Sequence, residues 1–264
     1  MDNQSFDQLR YISISSQKGG VAKTTTCLSL GSCLAEEGAR VLLVDLDPQA
    51  HLTQAMSVDP ESLRRTIGDV LLLQGNLLEI SRETVIANVD LVPANRGLIL
   101  VEKLLHGHKE YEFRLRAALE DLNGRFYDVV LFDCPPSFGP LTLNALAGSD
   151  LVLIPVTCDY FSMQSLRTYL NLLNLVKKNV NPKIQYRLLV TMFDGRTRIS
   201  KMFLEQFRQK FGPVLFETVI PLDVKVRESS LFGRPVNIYA RKTRGAQEYR
   251  ALATEMSTCL QTTI

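Results

Sequence analysis

Ser16-Gln17-Lys18-Gly19-Gly20-Val21-Ala22-Lys23-Thr24-Thr25 follows a short apolar, β-branched run and opens a helical pattern. That context, strand before and helix after, is what a phosphate-binding loop requires. Gly19 and Gly20 let the backbone turn tightly and aim N–H groups at an anion. The next helix offers its unpaired N-terminal amides and the positive end of its dipole. In such a loop Lys23 reaches the β- and γ-phosphates of a nucleotide, the Thr24 hydroxyl binds Mg²⁺, and Thr25 contacts the α-phosphate. The order G-x-x-x-x-G-K-[ST] is broken, because Ala22 stands where a glycine precedes the lysine. One extra methyl is expected to be tolerated there if φ is negative.

Outward from the loop, strands are expected at Tyr11–Ser15, Arg40–Asp45, Val89–Pro93, Asp128–Asp133, Leu151–Val156, Tyr186–Met192 and Val214–Ile220. Helices are expected at Lys23–Glu37, Glu61–Leu73, Tyr111–Leu122, Met163–Asn179, Ile199–Phe211 and Gly245–Leu260. Several strands are apolar throughout, as when helices cover both sheet faces. The alternation predicts one α/β domain over 1–264, a doubly wound, mostly parallel sheet flanked by helices, the P-loop NTPase architecture, with 1–10 a flexible tail.

Two strands run into acids. Val41-Leu42-Leu43-Val44-Asp45-Leu46-Asp47 reads as an apolar strand ending in two acids, with Asp45 and Asp47 two residues apart and pointing the same way on one face. One acid would serve a metal shell and the other would orient a water. Asp128-Val129-Val130-Leu131-Phe132-Asp133-Cys134-Pro135-Pro136 ends at Asp133, where two prolines stop a central strand. Asp133 therefore reads as the second acid near Mg²⁺. Acids at carboxyl ends of strands lie where doubly wound folds bind ligands. Cys134 reads as an inert small residue, and His51 as peripheral to the site.

Five scattered cysteines form no C-x-x-C pair, so buried reduced thiols are expected rather than a metal site or disulfides. No apolar run approaches the roughly 20 residues of a membrane span. The polar N-terminus does not read as a secretory signal, so a cytosolic protein is expected. Net charge is +2, yet from Asn181 onward fourteen Lys and Arg stand against seven Asp and Glu. Such a basic end suggests a polyanionic partner.

The loop, with its extra Lys18, resembles the deviant phosphate loop of the ParA/MinD ATPases, and most closely the ParA/Soj partition branch. The resemblance extends through Pro140–Leu146, Val190–Thr197, Ile220–Val224 and Arg244–Tyr249. It implies that Lys18 crosses a dimer interface to the partner copy's ATP, that Asp47 is the hydrolysis residue, and that Asp45 supports Mg²⁺ through water. It also implies that Pro221 and Asp223 pack on base and ribose, although Leu222-Asp223 stands where relatives often have Arg-Asn. Arg196 matches a position the family uses for DNA binding, and Lys225, a second DNA-binding candidate, falls where the family commonly has arginine. Arg198, Lys201, Arg227, Arg241 and Lys242, and also Arg234 and Arg244, are candidates from charge and position.

The implied function is an ATP- and Mg²⁺-dependent homodimer that grips double-stranded DNA without reading sequence. Hydrolysis stimulated by a ParB-like centromere-binding partner would release it. Such a protein would be cytoplasmic and nucleoid-associated, with no membrane partner. A MinD-like membrane-cycling ATPase is the alternative. It would need a basic amphipathic C-terminal helix, whereas Ala251–Leu260 carries one acid and no base.

Overall fold

The computed structural model describes residues 8–122 and 126–262. The strands are β1 (Arg10–Ile14), β2 (Val41–Asp45), β3 (Arg82–Glu83), β4 (Val89–Val92), β5 (Val129–Asp133), β6 (Leu151–Thr157), β7 (Gln185–Phe193) and β8 (Leu215–Pro221). The helices are α1 (Lys23–Glu36), α2 (His51–Ala55), α3 (Ile67–Leu73), α4 (Leu77–Ile80), α5 (Leu98–Leu105) and α6 (Arg114–Leu119), followed by α7 (Pro140–Gly148), α8 (Tyr160–Asn179), α9 (Arg198–Phe211), α10 (Val224–Leu231), α11 (Val236–Tyr239) and α12 (Arg244–Thr262).

One sheet runs in the order β3-β4-β2-β5-β1-β6-β7-β8, parallel except for the β3–β4 pairing. The apolar strands are covered on both faces. In β2, Val41 and Leu43 join the core under α1 and α12, while Leu42 and Val44 join the core under α3, α5, α6 and α7. That alternation within a continuous apolar run follows from the two-residue side-chain period. A third cluster packs α8 and α9 on β6 and β7. Chain addition reverses direction around β1, so the loop after β1 stands at the switch point, where such sheets bind ligands.

α1 packs closely on the sheet because Gly31 has no side chain. A Cβ there would stand 2.7 Å from a Leu43 methyl and 3.3 Å from Leu131. All seven expected strands form, each within a residue or two of its expected ends. β3 is too short to leave a pattern. The helix expected over Glu61–Leu73 begins only at Ile67, because Thr66 caps it by a capping box with Asp69. Tyr111–Leu122 divides into a 3₁₀ turn and α6. The expected N-terminal tail falls mainly outside the described residues, but Arg10 belongs to β1, pairing beside Val129.

Candidate active site

The phosphate loop joins β1 to α1, and α1 is left with free N-terminal amides. Its N-cap, Ala22, makes no side-chain cap, and no acid stands in the first turn. Gly20 lies at φ +71° and Ala22 at φ +65°. The expectation of a negative φ at Ala22 is therefore corrected: this alanine adopts the left-handed conformation that glycine takes without cost. The strain is contained by clamps on both sides, the Thr191 hydroxyl donating to the Val21 carbonyl at 3.0 Å and the Thr26 amide to Ala22 O at 2.9 Å.

Lys23 is buried, and its Nζ reaches only the Lys18 carbonyl, at 3.4 Å. Burial lowers its pKa, while the neighbouring Asp133, Cys134 and Asp47 pull it back up. An ammonium in this position gains most from an anion placed in the loop.

Asp45 and Asp133 stand side by side in the β2–β5 register, both fully buried. Burial raises both pKa values; the Asp45 charge raises Asp133 further, and the Asp47 charge raises both. They differ in their partners. Asp45 accepts from the Thr53 hydroxyl (2.7 Å), the Thr53 amide (2.9 Å) and the Asp47 amide (3.1 Å). Among the described residues neither oxygen of Asp133 has a hydrogen-bond partner, although the nearby Thr24 hydroxyl holds its pKa down somewhat. β2 ends at Asp45 and the Asp47 amide folds back onto it, so the expected one-face pair of Asp45 and Asp47 is corrected. The acids that share an edge are Asp45 and Asp133. Asp47 is buried in the following turn, where its carboxylate accepts from the Gln49 amide at 2.9 Å.

The residues fit the Mg²⁺ and ATP that the resemblance implies. An orphaned buried carboxylate beside a threonine hydroxyl, at the mouth of an amide-lined loop, suits a cation on one side and an anion on the other. No group of three or more His, Cys, Asp or Glu among the described residues is arranged to hold a metal unaided.

Lys18, by contrast, is not aimed into this loop. Its ammonium donates to both Asp159 oxygens (2.8 and 2.7 Å), to Thr157 Oγ1 (3.1 Å) and to Ser162 Oγ (3.1 Å). Asp159 is the N-cap of α8, its carboxylate also accepting the Ser162 amide at 2.9 Å.

The protein-family model described as an AAA domain matches residues 9–186. The sporulation initiation inhibitor protein Soj of Bacillus subtilis is 39% identical over 94% of this chain and 98% of its own. The chromosome partitioning protein ParA of Myxococcus xanthus is 39% identical over 94% of this chain and 87% of its own. The chain belongs to the ParA/Soj family of P-loop ATPases. Its fold also matches the crystal structure of a cobyrinic acid a,c-diamide synthase from Mycobacterium smegmatis with bound ATP analog and magnesium. The TM-score is 0.85, with 33% identity and 96% coverage of both chains.

Beside the loop of this ParA/Soj chain lies a cavity of about 220 Å³ whose lining includes Thr25, Met192, Pro221, Asp223 and Arg227. Pro221 and Asp223 are thus brought to the phosphate loop, although both Asp223 oxygens accept from backbone amides, of Lys225 (2.8 Å) and Gly245 (3.1 Å). Met192, like Ala22, is a non-glycine residue at positive φ, +53°. Two strained residues bordering one cavity fit a ligand site held open by the surrounding fold. A larger groove, about 740 Å³, opens at the opposite edge of the sheet around Arg10, Lys177, Lys183 and Arg187, far from these acids.

Arg196 and Arg244 line a further groove with Asp223 and Val224. Arg198, Lys201, Lys225, Arg227, Arg241 and Lys242 are all exposed, with Lys225 bound to Glu228 at 2.6 Å. His51 is exposed at the first turn of α2. Cys134 is fully buried and pushed up to about 12 by burial and by Asp133, an inert thiol.

Sequence reading missed Thr53, Thr191 and the Thr157–Asp159–Ser162 set. The last had a legible signal, Asp-x-x-Ser before a periodic run, which is an N-cap pattern. Placing the helix start at Met163 concealed it.

Proposed function

We propose that this chain is a partition ATPase that binds ATP with Mg²⁺, pairs with a second copy, and holds DNA through its phosphates while ATP remains intact. The observation that carries the reading is Lys18. The loop already has a buried lysine, Lys23, for its own phosphates, and carries a second that its own site does not use. A cation delivered with a partner neutralises charge at the transferring phosphoryl group, as an arginine finger does.

In this reading Mg²⁺ supplies electrostatic stabilisation of the phosphate oxygens when bound. Thr24 and Asp133 would hold it, with Asp45 behind them. The loop amides and Lys23 orient the phosphates, and Asp47 orients the attacking water. The exposed cations of the distal third contact DNA phosphates without reading base edges, so binding should be steeply salt-dependent. A ParB-like partner would accelerate hydrolysis and so release the DNA, which would make the protein nucleoid-associated.

The MinD-like alternative finds no support in α12. Its apolar face (Tyr249, Leu252, Ala253, Met256 and Leu260) is buried in the core shared with α1, and so is unavailable to a bilayer. No helix among the described residues is long and apolar enough to cross a membrane.

Co-sedimentation with double-stranded DNA in ATP, ADP and no nucleotide tests the proposal. Retention is expected in ATP alone; equal retention in all three states would remove the switch.

A further inference from the structure

α10 carries an exposed stripe unlike that of an ordinary surface helix. Helical spacing puts Val224, Arg227 and Leu231 on one side, while Val226 and Ser229 face the core. Val224 is 67% exposed, Leu231 86%, and the next residue, Phe232, 62%. Single exposed apolar side chains are common; two large ones adjacent at a corner are not explained by the fold.

The corner is rigid. Gly233, at φ +63°, turns the chain sharply after Phe232. The Phe232 ring stacks on Tyr239 of α11, with centroids 5.1 Å apart and 14° between planes. Tyr239 Oη donates to Glu228 at 3.1 Å, and Lys225 holds the same carboxylate oxygen at 2.6 Å. One ring face is therefore supported and its exposed side remains presented, with the side chain already ordered.

The surroundings are cationic. Arg227 precedes the pair on α10, Arg234 follows it, and Arg241 and Lys242 stand exposed beyond α11; the one nearby acid of α10, Glu228, is neutralised by Lys225. The carbonyl end of α10 would by itself repel phosphate, and the flanking arginines offset this. The geometry points to Leu231 and Phe232 as an apolar wedge that enters the DNA minor groove and partly unstacks one base step, while the flanking cations hold phosphates. Apolar side chains inserted this way bend and unwind the duplex toward more protein contact. Two side chains flanked along the chain by exposed cations suit a base step better than a bilayer, whose surface helices need a long apolar face. This inference rests on the DNA-binding reading above.

The test is a salt titration of DNA affinity in ATP, on wild type, Leu231→Ser/Phe232→Ser and Arg234→Gln, alongside relaxation of closed-circular plasmid by a topoisomerase with saturating protein. The double variant is expected to bind about tenfold more weakly at every salt concentration, with an unchanged slope, and to lose the linking-number change that wild type produces. Arg234→Gln should instead reduce the slope by about 1. Leu231→Ser alone, at the more exposed position, repeats the test if the double variant melts early. Coincident wild-type and variant lines, or unaltered plasmid topology with bound wild type, would overturn the wedge and leave DNA binding standing. Failure of wild type to bind DNA in ATP would overturn both, and binding to phosphatidylglycerol vesicles instead would assign the corner to a membrane.

Discussion

Lys18 and Asp159 join the phosphate loop to the start of α8, the ammonium lying 2.8 and 2.7 Å from the two carboxylate oxygens. Burial alone would raise the Asp159 pKa, but the hydrogen bonds from Lys18 and Thr157 outweigh it and hold the carboxyl below its ordinary value. In the single chain this lysine is engaged. If it must reach a partner's nucleotide, each copy has to break this contact, so the bridge opposes pairing.

Asp159→Asn keeps an N-cap for α8 and removes the ion pair. The pair is partly exposed, with side-chain exposures of 28% and 40%, so it is worth at most about 1 kcal/mol, a factor of about 5. A dimer breaks two such contacts, so the association constant with a non-hydrolysable ATP analogue should rise, by up to about 25-fold. Sedimentation velocity measures it. Unchanged or weaker association would mean that Asp159 does not compete for Lys18.

Ala22→Gly should stabilise the chain by up to about 1 kcal/mol. An alanine at φ +65° carries left-handed strain that glycine does not, and the looser unfolded glycine chain takes back part of the gain. Urea unfolding without nucleotide reads it as a higher midpoint at constant slope. A lower midpoint would show that the clamps from Thr191 and Thr26 have removed the strain.

The strands were legible because burial on two faces leaves continuous apolar runs, and a run such as Val41–Val44 admits few other readings. The loop was legible because phosphate binding restricts backbone and side chain together. The partners of the acids were not. Asp45 and Asp47 are two apart in sequence, yet Asp45 pairs with Asp133, 88 positions away, because β5 lies between β2 and β1. Strand order is a tertiary fact that no local pattern carries. The φ of Ala22 was misjudged for a related reason: an alanine reports nothing of its backbone, whereas a glycine would have.

Mg·ATP affinity should rise with pH. Asp133 and Asp45 have raised pKa values in the free site, chiefly by burial, with Asp45 and Asp47 raising Asp133 and Asp47 raising Asp45. Below the raised values the pair retains protons that a bound cation must displace. Binding then releases protons, and affinity climbs with pH until the raised values of the free site are passed, then flattens. Calorimetry in buffers of different ionisation enthalpy counts the protons. Asp133→Asn should abolish most of the release, and a pH-independent wild type would refute the coupling.

Asp47→Ala should lower ATP turnover by about 100-fold or more while ATP still binds, leaving the protein on DNA. Lys23→Ala should lose the nucleotide response altogether, because the buried ammonium would no longer meet the phosphates. Phosphate release and filter binding separate the two. Wild-type turnover in Asp47→Ala would place the water-orienting group elsewhere.

Arg196 and Asp194 give the last test. The guanidinium is held in a two-point pair, Nε to Oδ1 and Nη2 to Oδ2, both at 2.8 Å, and the arginine side chain is 85% exposed. The hydrogen bonds from Arg196 pull the Asp194 pKa down to about 2, so the acid stays ionised under any working condition. A phosphate approaching Arg196 therefore meets a guanidinium already shared with a carboxylate. Arg196→Glu should weaken DNA binding at least tenfold and leave ATP-driven pairing intact. Asp194→Asn should have the opposite sign, because removing the competing charge frees donors for phosphate; affinity should rise a few-fold, most at low salt, where exposed charges are least screened. Anisotropy of labelled duplex across a salt series reads both. Weaker binding in Asp194→Asn would mean that the acid's role is to aim the guanidinium, and that orientation outweighs repulsion at this site.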